Sequence, residues 1–249
     1  NPKWISHIVL DRLELKFESL AYVVLGYINA MRAMIPPPKP NVPDQSWDID
    51  QMLKWATDKY LPYQAWCNQQ MQFDSDIYQI GDNFSEWLVD NWHDLHANSK
   101  RMVFNILPNI ANSLNIPEIV NLFLVVDNLG WTFSKILVSL FQDQGYFLTN
   151  AEPYLAMLPT ETEISKKCLL SGEVGYSKIN DKSYQGIIEK GWVPYFNQAK
   201  FQYLSDIGKL QSVKKIDAAV YLVNYLAVDK AMHQSSDEIG FSHQEHITH

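Results

Sequence analysis

Four side chains in this sequence are suited to phosphoryl and metal chemistry: Asp127, Thr162, Asp229 and His233. Asp127 directly follows residues 120–126, an apolar run rich in β-branched residues that predicts a buried strand of a parallel sheet. Ligands bind beyond the carboxyl ends of such strands. We therefore expect the Asp127 carboxylate at a binding edge of the sheet, with the capping of a neighbouring helix as the alternative.

Thr162 belongs to a segment that predicts the start of a helix. Thr160 and Glu163 have the spacing of a capping box, in which the hydroxyl and the carboxylate each bond to an unpaired backbone N–H group. The first turn of a helix attracts anions because its N–H groups point outward and the helix dipole is positive there. A hydroxyl at this point is placed to attack a phosphoryl group. The alternative is that Thr162 is an ordinary residue of a capped helix.

A second strand is predicted over residues 218–228, and Asp229 follows it directly. His233 comes four residues later, which puts the two side chains on one face of a helical turn. Carboxylate, hydroxyl and imidazole groups together form a donor set suited to zinc or manganese. The alternative for His233 is an ordinary histidine at the boundary of the core.

The order of these motifs resembles the alkaline phosphatase superfamily of two-metal hydrolases, and in particular the PglZ domain. The likeness is carried by residues 158–172, Leu-Pro-Thr-Glu-Thr-Glu-Ile-Ser-Lys-Lys-Cys-Leu-Leu-Ser-Gly, and it extends over roughly residues 118–240. By this resemblance Thr162 is the nucleophile and bridges the metals, and Asp127 binds one metal. Asp229 and His233 bind the other. The resemblance implies two divalent metal ions, zinc first and manganese as the other candidate, and an alkaline-phosphatase-like α/β fold with a mostly parallel sheet flanked by helices.

The chain departs from the family pattern in two places. Asn128 stands where many members of the superfamily have glycine. The Ser-Asp-His-Gly segment that supplies an aspartate and a histidine to the first metal in the family does not occur in this sequence, which begins at Asn1 rather than at a methionine. We therefore expect a portion of a longer protein, inactive alone, in which residues 113–249 form the N-terminal part of the PglZ-like domain.

The function that the resemblance implies is metal-dependent hydrolysis of a phosphoric ester, with nucleotide-derived esters among the candidate substrates. Monoesters and diesters both remain open. A sulfatase is disfavoured, because sulfatases mature a cysteine or serine at the position that Thr162 occupies. The family also implies protein partners in a bacterial phage-defence or signalling complex. The alternative is a non-catalytic regulatory module that binds partner proteins or a phosphorylated ligand.

Composition bounds these hypotheses. The net charge of −8 and the sequence pI of about 5.3 disfavour direct binding of nucleic acid. Cys67 and Cys168 are widely separated, so we expect no disulfide framework and predict a cytoplasmic location. No apolar run approaches the roughly 18 residues that span a bilayer, so no membrane association is predicted.

The chain changes character near its middle. Residues 1–112 predict a helical region, which begins with one amphipathic helix over residues 4–34 and continues through a proline-rich connector over 36–43. The connector is interpreted as a linker, with docking to a polyproline-binding partner as the alternative. The pattern then alternates between strands and helices, which predicts an α/β domain. Residues 173–217 are expected to be rich in loops, with the apolar cluster 192–196 packing a lid.

Overall fold

The computed structural model describes most of the chain, in residues 5–16, 22–114, 119–148, 152–173, 183–196, 201–211 and 220–235. The chain divides into two compact units, Asn1–Asp90 and Asn91–His249. No helix in the described stretches has both the length and the apolar composition needed to cross a membrane.

Helices dominate the described part of the first unit. They are α1 (His7–Lys16), α2 (Tyr22–Ala33), α3 (Ile49–Trp55), α4 (Leu61–Gln69) and α5 (Ser75–Asn98), the last of which continues beyond the first unit. A π-helical turn, Ala56–Tyr60, joins α3 to α4. The core of this unit lies between α3 and α5, where the buried side chains include Met52, Leu53, Trp55, Ile77, Ile80 and Trp87.

The predicted single helix over residues 4–34 is wrong. Arg32 of α2 donates hydrogen bonds to Asp11 of α1 at 2.6 Å and to Glu14 of α1 at 2.7 Å. In one straight helix, Arg32 and Asp11 would be about 31 Å apart. The apolar periodicity is therefore shared by two helices that lie side by side and are joined by Arg32.

Two groups of polar side chains in the first unit form several hydrogen bonds each. Asp48 caps α3 in a complete capping box: its Oδ1 accepts from the Gln51 N–H at 2.9 Å, and its own N–H donates to Gln51 Oε1 at 3.1 Å. Lys39, in the proline-rich connector, donates to Asp74 Oδ1 at 3.0 Å. Tyr63 donates its hydroxyl proton to Asp74 Oδ2 at 3.0 Å. These contacts fix the entry to α3 and tie the connector to the start of α5.

The second unit is a mixed helix and strand structure. The strands in its described residues are β1 (Asn121–Val126), β2 (Phe201–Leu204) and β3 (Val220–Tyr225). The α-helices described there beyond α5 are α6 (Ile106–Leu114), α7 (Trp131–Asp143), α8 (Thr162–Ser171), α9 (Tyr184–Gly191), α10 (Gly208–Gln211) and α11 (Ala227–Ser235). The predicted α/β character of this part of the chain is confirmed at this level.

The three strands form a parallel sheet in the order β1-β3-β2. Val220 of β3 is level with Asn121 of β1 and with Phe201 of β2. The central strand β3 is buried on both faces, as expected for a parallel strand covered by helices. The predictions of strands β1 and β3 from their apolar runs are confirmed, but the predicted end of the second strand at residue 228 is wrong, because Ala227 and Val228 belong to α11. Strand β2 falls in the stretch for which only loops and short helices were expected.

One face of the sheet is covered by α6, α8 and α9. The buried side chains on this face are Leu107, Ile110, Leu170, Ile187, Ile188, Trp192, Phe196, Val220 and Leu222. Trp192 is completely buried and meets the Phe123 ring edge-on at a centroid distance of 4.8 Å. The prediction that residues 192–196 pack a lid is wrong for Trp192 and Phe196, whose rings cover the sheet, whereas Tyr195 is 43% exposed.

The backbones of helices α8 and α9 lie close together at Gly191. A Cβ atom at this position would lie 2.5 Å from the carbonyl oxygen of Leu170 and 2.6 Å from the Cα of Ser171. Because both contacts are with backbone atoms, no side-chain movement would relieve them. Glycine at 191 therefore sets the distance between these two helices.

Candidate functional site at the carboxyl end of the sheet

Asp127 extends the edge strand β1 by one residue. Its backbone N–H donates to the carbonyl oxygen of Tyr225 in β3 at 3.2 Å. Asn128 then adopts a left-handed backbone conformation with a φ of 62°. Glycine adopts this conformation without strain, and asparagine tolerates it better than most other residues do. The turn leaves the Asp127 side chain at the carboxyl end of the sheet, 12% exposed.

Thr162 is the first residue of α8, and it is exposed. The predicted capping box is wrong: the N-cap residue is Glu161, and no side chain caps the helix. Because the helix starts later than predicted, Glu163 is its second residue rather than its third. The Glu163 carboxylate instead accepts a hydrogen bond from Lys167 Nζ at 2.5 Å. The N–H groups of the first turn are left to solvent or to an anion.

Lys166 connects α8 to Asp127. Its Nζ donates to Asp127 Oδ2 at 3.0 Å, and the two side chains are 6% and 12% exposed. The same ammonium group lies 5.3 Å from the centroid of the Tyr184 ring in α9. Thr162 precedes Lys166 by four residues, so their Cβ atoms share one helix face at a separation of about 6 Å. The ion pair therefore holds α8 against the end of β1, while Thr162 itself is exposed.

Two tyrosines border this region. Burial raises the pKa of Tyr184, the negative charges of Glu163 and Asp127 raise it further, and Lys167 lowers it. Burial also raises the pKa of Tyr203 in β2, with a smaller effect from Tyr184. Both hydroxyls therefore keep their protons at neutral pH and can donate hydrogen bonds.

Asp229 and His233 both lie in α11, which directly follows β3. Asp229 is in the first turn and is partly buried, and the side chain of His233 lies outside the described part of the structure. Because β1 and β3 are parallel neighbours, the start of α11 and Asp127 follow strand ends at the same edge of the sheet. The topology thus brings Asp127 and the start of α11, which carries Asp229, to one edge of the sheet.

A buried amide lies on the same side of the sheet as α8 and α9. Asn224 in β3 is 6% exposed, and its Oδ1 has no hydrogen-bond partner among the described residues. Alternation along the strand puts its side chain on the face that carries Val220 and Leu222. A buried acceptor without a donor costs free energy, and such groups are often found where a ligand or an ordered water binds.

Carboxylate and imidazole groups suit a divalent cation chemically, but the described residues do not assemble a site for one. Asp127 already holds a cation, the Lys166 ammonium, on a carboxylate that is mostly shielded from water. Within the stretches that the structure describes, no three histidine, cysteine, aspartate or glutamate side chains are close enough together to hold a metal ion. Metal binding at Asp127 would thus use a carboxylate that is now neutralised by a lysine.

Three residues near the candidate site were not predicted from the sequence: Lys166, Tyr184 and Asn224. A signal existed for Lys166, because it follows Thr162 at the same four-residue spacing that joins Asp229 to His233. A signal also existed for Asn224, because it interrupts the apolar run of a buried strand. The position of Tyr184 depends on the packing of α9 against α8, which no local pattern indicates.

Comparison with known proteins gives no assignment. No protein-family model matches the chain, and no curated protein matches it either. The likeness to the PglZ domain therefore rests on residues 158–172 and on the spacing of the motifs around them.

Proposed function

We propose that this protein is a metal-dependent phosphoric ester hydrolase of the PglZ type, with Thr162 as its nucleophile and an alkaline-phosphatase-like fold. Asp127, Asp229 and His233 are the proposed ligands of two divalent ions, zinc or manganese. The proposed substrate is a phosphate monoester or diester, nucleotide-derived esters included. The proposed protein partners belong to a defence or signalling complex.

The observation that carries the proposal is the buried ion pair between Lys166 and Asp127. It joins the helix that begins at Thr162 to the carboxylate at the end of β1, although the two paired residues are 39 positions apart in sequence. A nucleophile and a charged group that acts with it must be held together by the fold, and this contact supports that arrangement.

The chain's own residues account for the binding and transfer steps. The N–H groups at the start of α8 bind the phosphoryl oxygens. The Thr162 Oγ1 attacks phosphorus and its hydroxyl proton passes to solvent, so that an O–P bond forms to Thr162 while the ester P–O bond breaks and the leaving oxygen takes up a proton from solvent. Water then cleaves the phosphothreonine and restores the hydroxyl. Divalent ions, when bound, supply the Lewis-acid activation that a neutral threonine hydroxyl lacks.

A specific observation also favours the second candidate, a non-catalytic regulatory module. The Asp127 carboxylate is neutralised by Lys166, which is the arrangement expected if the residue is structural. In that case α8 would bind a phosphorylated ligand through its first turn without turnover.

The test is hydrolysis of bis(4-nitrophenyl) phosphate and of 4-nitrophenyl phosphate by the natural full-length polypeptide that contains these residues, with zinc or manganese. We expect metal-dependent turnover that falls by more than about 1,000-fold in Thr162→Ala, because the nucleophile is lost. The ratio of the two rates assigns the ester class.

Thr160→Ala is the matched control, since Thr160 is an exposed threonine of the same segment that lies outside α8. It should leave both rates within about twofold. Equal losses in Thr162→Ala and Thr160→Ala would contradict a nucleophilic role for Thr162. Binding of phosphate without turnover in any variant would favour the regulatory module.

A further inference from the structure

The proline-rich connector, residues 36–43, has the pattern of a polyproline II ligand. Proline fixes its own φ at about −65° and restricts the residue before it to extended conformations, so Asn41 alone in this segment is unrestricted. Pro37, Pro40 and Pro43 recur with the three-residue period of the polyproline II helix, which puts them on one face. Pro40 and Pro43 are buried, whereas the residues on either side of Pro40 are exposed. The connector therefore turns its proline face towards the first unit.

An aromatic row lies beside the connector. The ring centroids of its successive members are 5.4, 6.3 and 6.3 Å apart, in the order Tyr60, Trp55, Phe84 and Trp87. The indole N–H of Trp55 donates to the carbonyl oxygen of Asn41 in the connector at 3.0 Å. The indole N–H of Trp87 donates to the carbonyl oxygen of Trp47, a few residues beyond it, at 3.2 Å. Proline-rich segments bind aromatic-lined surfaces of this kind, and a bond to a backbone carbonyl does not depend on the side chain that the ligand carries there.

Charge adds a direction to this contact. Lys39, directly before the buried Pro40, places its Nζ 2.8 Å from Asp74 Oδ2 and 3.0 Å from Asp76 Oδ2 at the start of α5. A basic residue followed by two prolines three positions apart is therefore the pattern that this surface recognises in the chain itself. The connector forms neither helix nor strand, and its ion pair is exposed, so a segment of the same pattern can replace it without breaking a backbone ladder.

We propose that the aromatic row is a binding surface for a proline-rich segment of a partner protein, with a lysine or arginine before the first of two prolines three positions apart. In this structure the connector occupies the surface as an internal ligand. A partner segment must displace the connector, so the connector sets the threshold for binding. The proposal concerns the first unit and does not depend on hydrolase activity.

The direct test is fluorescence anisotropy of a fluorescein-labelled peptide with the sequence of residues 35–44, titrated with the full chain. The double variant Pro40→Ser/Pro43→Ser weakens the protein's own connector and leaves the aromatic row intact. We expect it to bind the peptide at least about tenfold more tightly than wild type, because a tethered connector competes at an effective concentration in the millimolar range. A peptide with serine at both proline positions is the ligand control, and it should bind neither protein.

Two further substitutions in the double variant test the role of the indole N–H group. Trp55→Phe keeps an aromatic ring and removes the donor to the ligand carbonyl, so we expect peptide binding to weaken about fivefold. Trp66→Phe is the matched control, because the Trp66 indole bonds to Ala33, which the peptide does not contain. It should change peptide binding by less than about twofold. Equal weakening by the two substitutions would overturn the assignment of the surface to the aromatic row.

A second measurement uses the wild-type protein and so does not depend on how the variants fold. Acetylation by a water-soluble N-hydroxysuccinimide ester, followed by mass spectrometry, reports the reactivity of Lys39 relative to Lys54, an exposed lysine of α3. The added peptide has a blocked N-terminus and arginine in place of its lysine, so it does not consume the reagent. A millimolar excess should raise the labelling of Lys39, because the peptide arginine takes its place beside Asp74 and Asp76.

Three outcomes would overturn the proposal. The first is a double variant with the circular dichroism of wild type that does not bind the peptide, which would make the connector a linker only. The second is unchanged Lys39 labelling at a millimolar excess of peptide, which decides the matter if the double variant does not fold. The third is a wild-type dimer that the peptide dissociates, because the occupant would then be the connector of a second copy rather than a partner protein.

Discussion

Helix α3 in the first unit and helix α8 in the second unit both begin near a capping-box signature, and only one of the two boxes forms. Asp48 and Gln51 close theirs with two hydrogen bonds. Thr160 and Glu163 do not, and α8 begins without a side-chain cap. The signature therefore indicates the neighbourhood of a helix start, but the box closes only where the helix begins directly after its first residue, as it does after Asp48; α8 begins one residue later than its signature requires.

One ion pair from each unit shows a difference in burial. The side chains of Lys39 and Asp74 are 41% and 21% exposed, and Asp74 also accepts a hydrogen bond from Tyr63. Those of Lys166 and Asp127 are only 6% and 12% exposed. An exposed ion pair stabilises the fold only slightly, because water screens its charges. A buried pair is screened much less, so the loss of one partner leaves an uncompensated charge.

Buried polar atoms without partners complete the contrast. Among the described residues they are Trp131 Nε1, Trp192 Nε1 and Asn224 Oδ1, all in the second unit. Folding gains nothing from leaving such atoms unbonded, and sites that bind ligands often contain them. Among the described residues, the buried polar atoms that lack a hydrogen-bond partner thus all belong to the second unit.

The largest effect that would test this contrast is expected from Asp127→Ala in the metal-free protein. Removal of the carboxylate leaves the Lys166 ammonium buried without its ion-pair partner, which should lower the free energy of unfolding by about 3 kcal/mol. Chemical denaturation followed by circular dichroism measures it. Glu163→Ala is the control, because the Glu163 side chain is 62% exposed, and the expected loss is below about 1 kcal/mol. Similar losses in both variants would show that burial does not distinguish these pairs.

A smaller effect should separate the two helix starts. Asp48→Ala removes a cap that accepts a backbone hydrogen bond, so we expect it to lower the free energy of unfolding by about 1 kcal/mol. Thr160→Ala should change that free energy by less than about 0.5 kcal/mol, since no side chain caps α8. Denaturant titration of the two variants beside wild type provides the measurement. A larger loss in Thr160→Ala than in Asp48→Ala would reverse our assignment of the caps.

The smallest expected effect is the pH dependence of the stability contributed by the exposed Lys39–Asp74 ion pair. The hydrogen bond from Lys39 holds the pKa of Asp74 below its ordinary value, with further lowering by Tyr63 and by the Asp76 N–H. A carboxyl with a depressed folded-state pKa stabilises the fold above about pH 4 and loses that contribution as the pH falls further. The difference in melting temperature between wild type and Asp74→Asn should therefore shrink from pH 6 to pH 3. Lys39→Met should reproduce this change, and a difference that grows in acid would have the wrong sign.

The sequence was sufficient for those elements whose signal is local. The runs that became β1 and β3 are apolar and β-branched, and their parallel pairing follows from the helices between them. The strand β2 was missed because Phe201–Leu204 is only four residues long and includes a polar glutamine. Its strand character depends on pairing with β3, which is contributed by a distant part of the chain.

The candidate site shows the same limit. Asp127 could be placed at a strand end and Thr162 in the first turn of a helix from local patterns alone. The contact of Lys166 with Asp127 could not be predicted, because a lysine beside a second lysine normally indicates a solvated helix face. The metal, the substrate and the partners remain predictions from the resemblance.

Gly191 restricts which substitutions the contact between α8 and α9 can accept. Substitution of Tyr184, Ile187 or Ile188 would change which side chains fill the seam between α8 and α9 and leave the backbone spacing in place. Any side chain at 191 would instead force the backbones of the two helices apart. The distance between α8, which carries Thr162, and α9, which carries Tyr184, thus depends on the absence of a Cβ atom at position 191. A library that randomises position 191 should return glycine almost alone, whatever chemistry is selected.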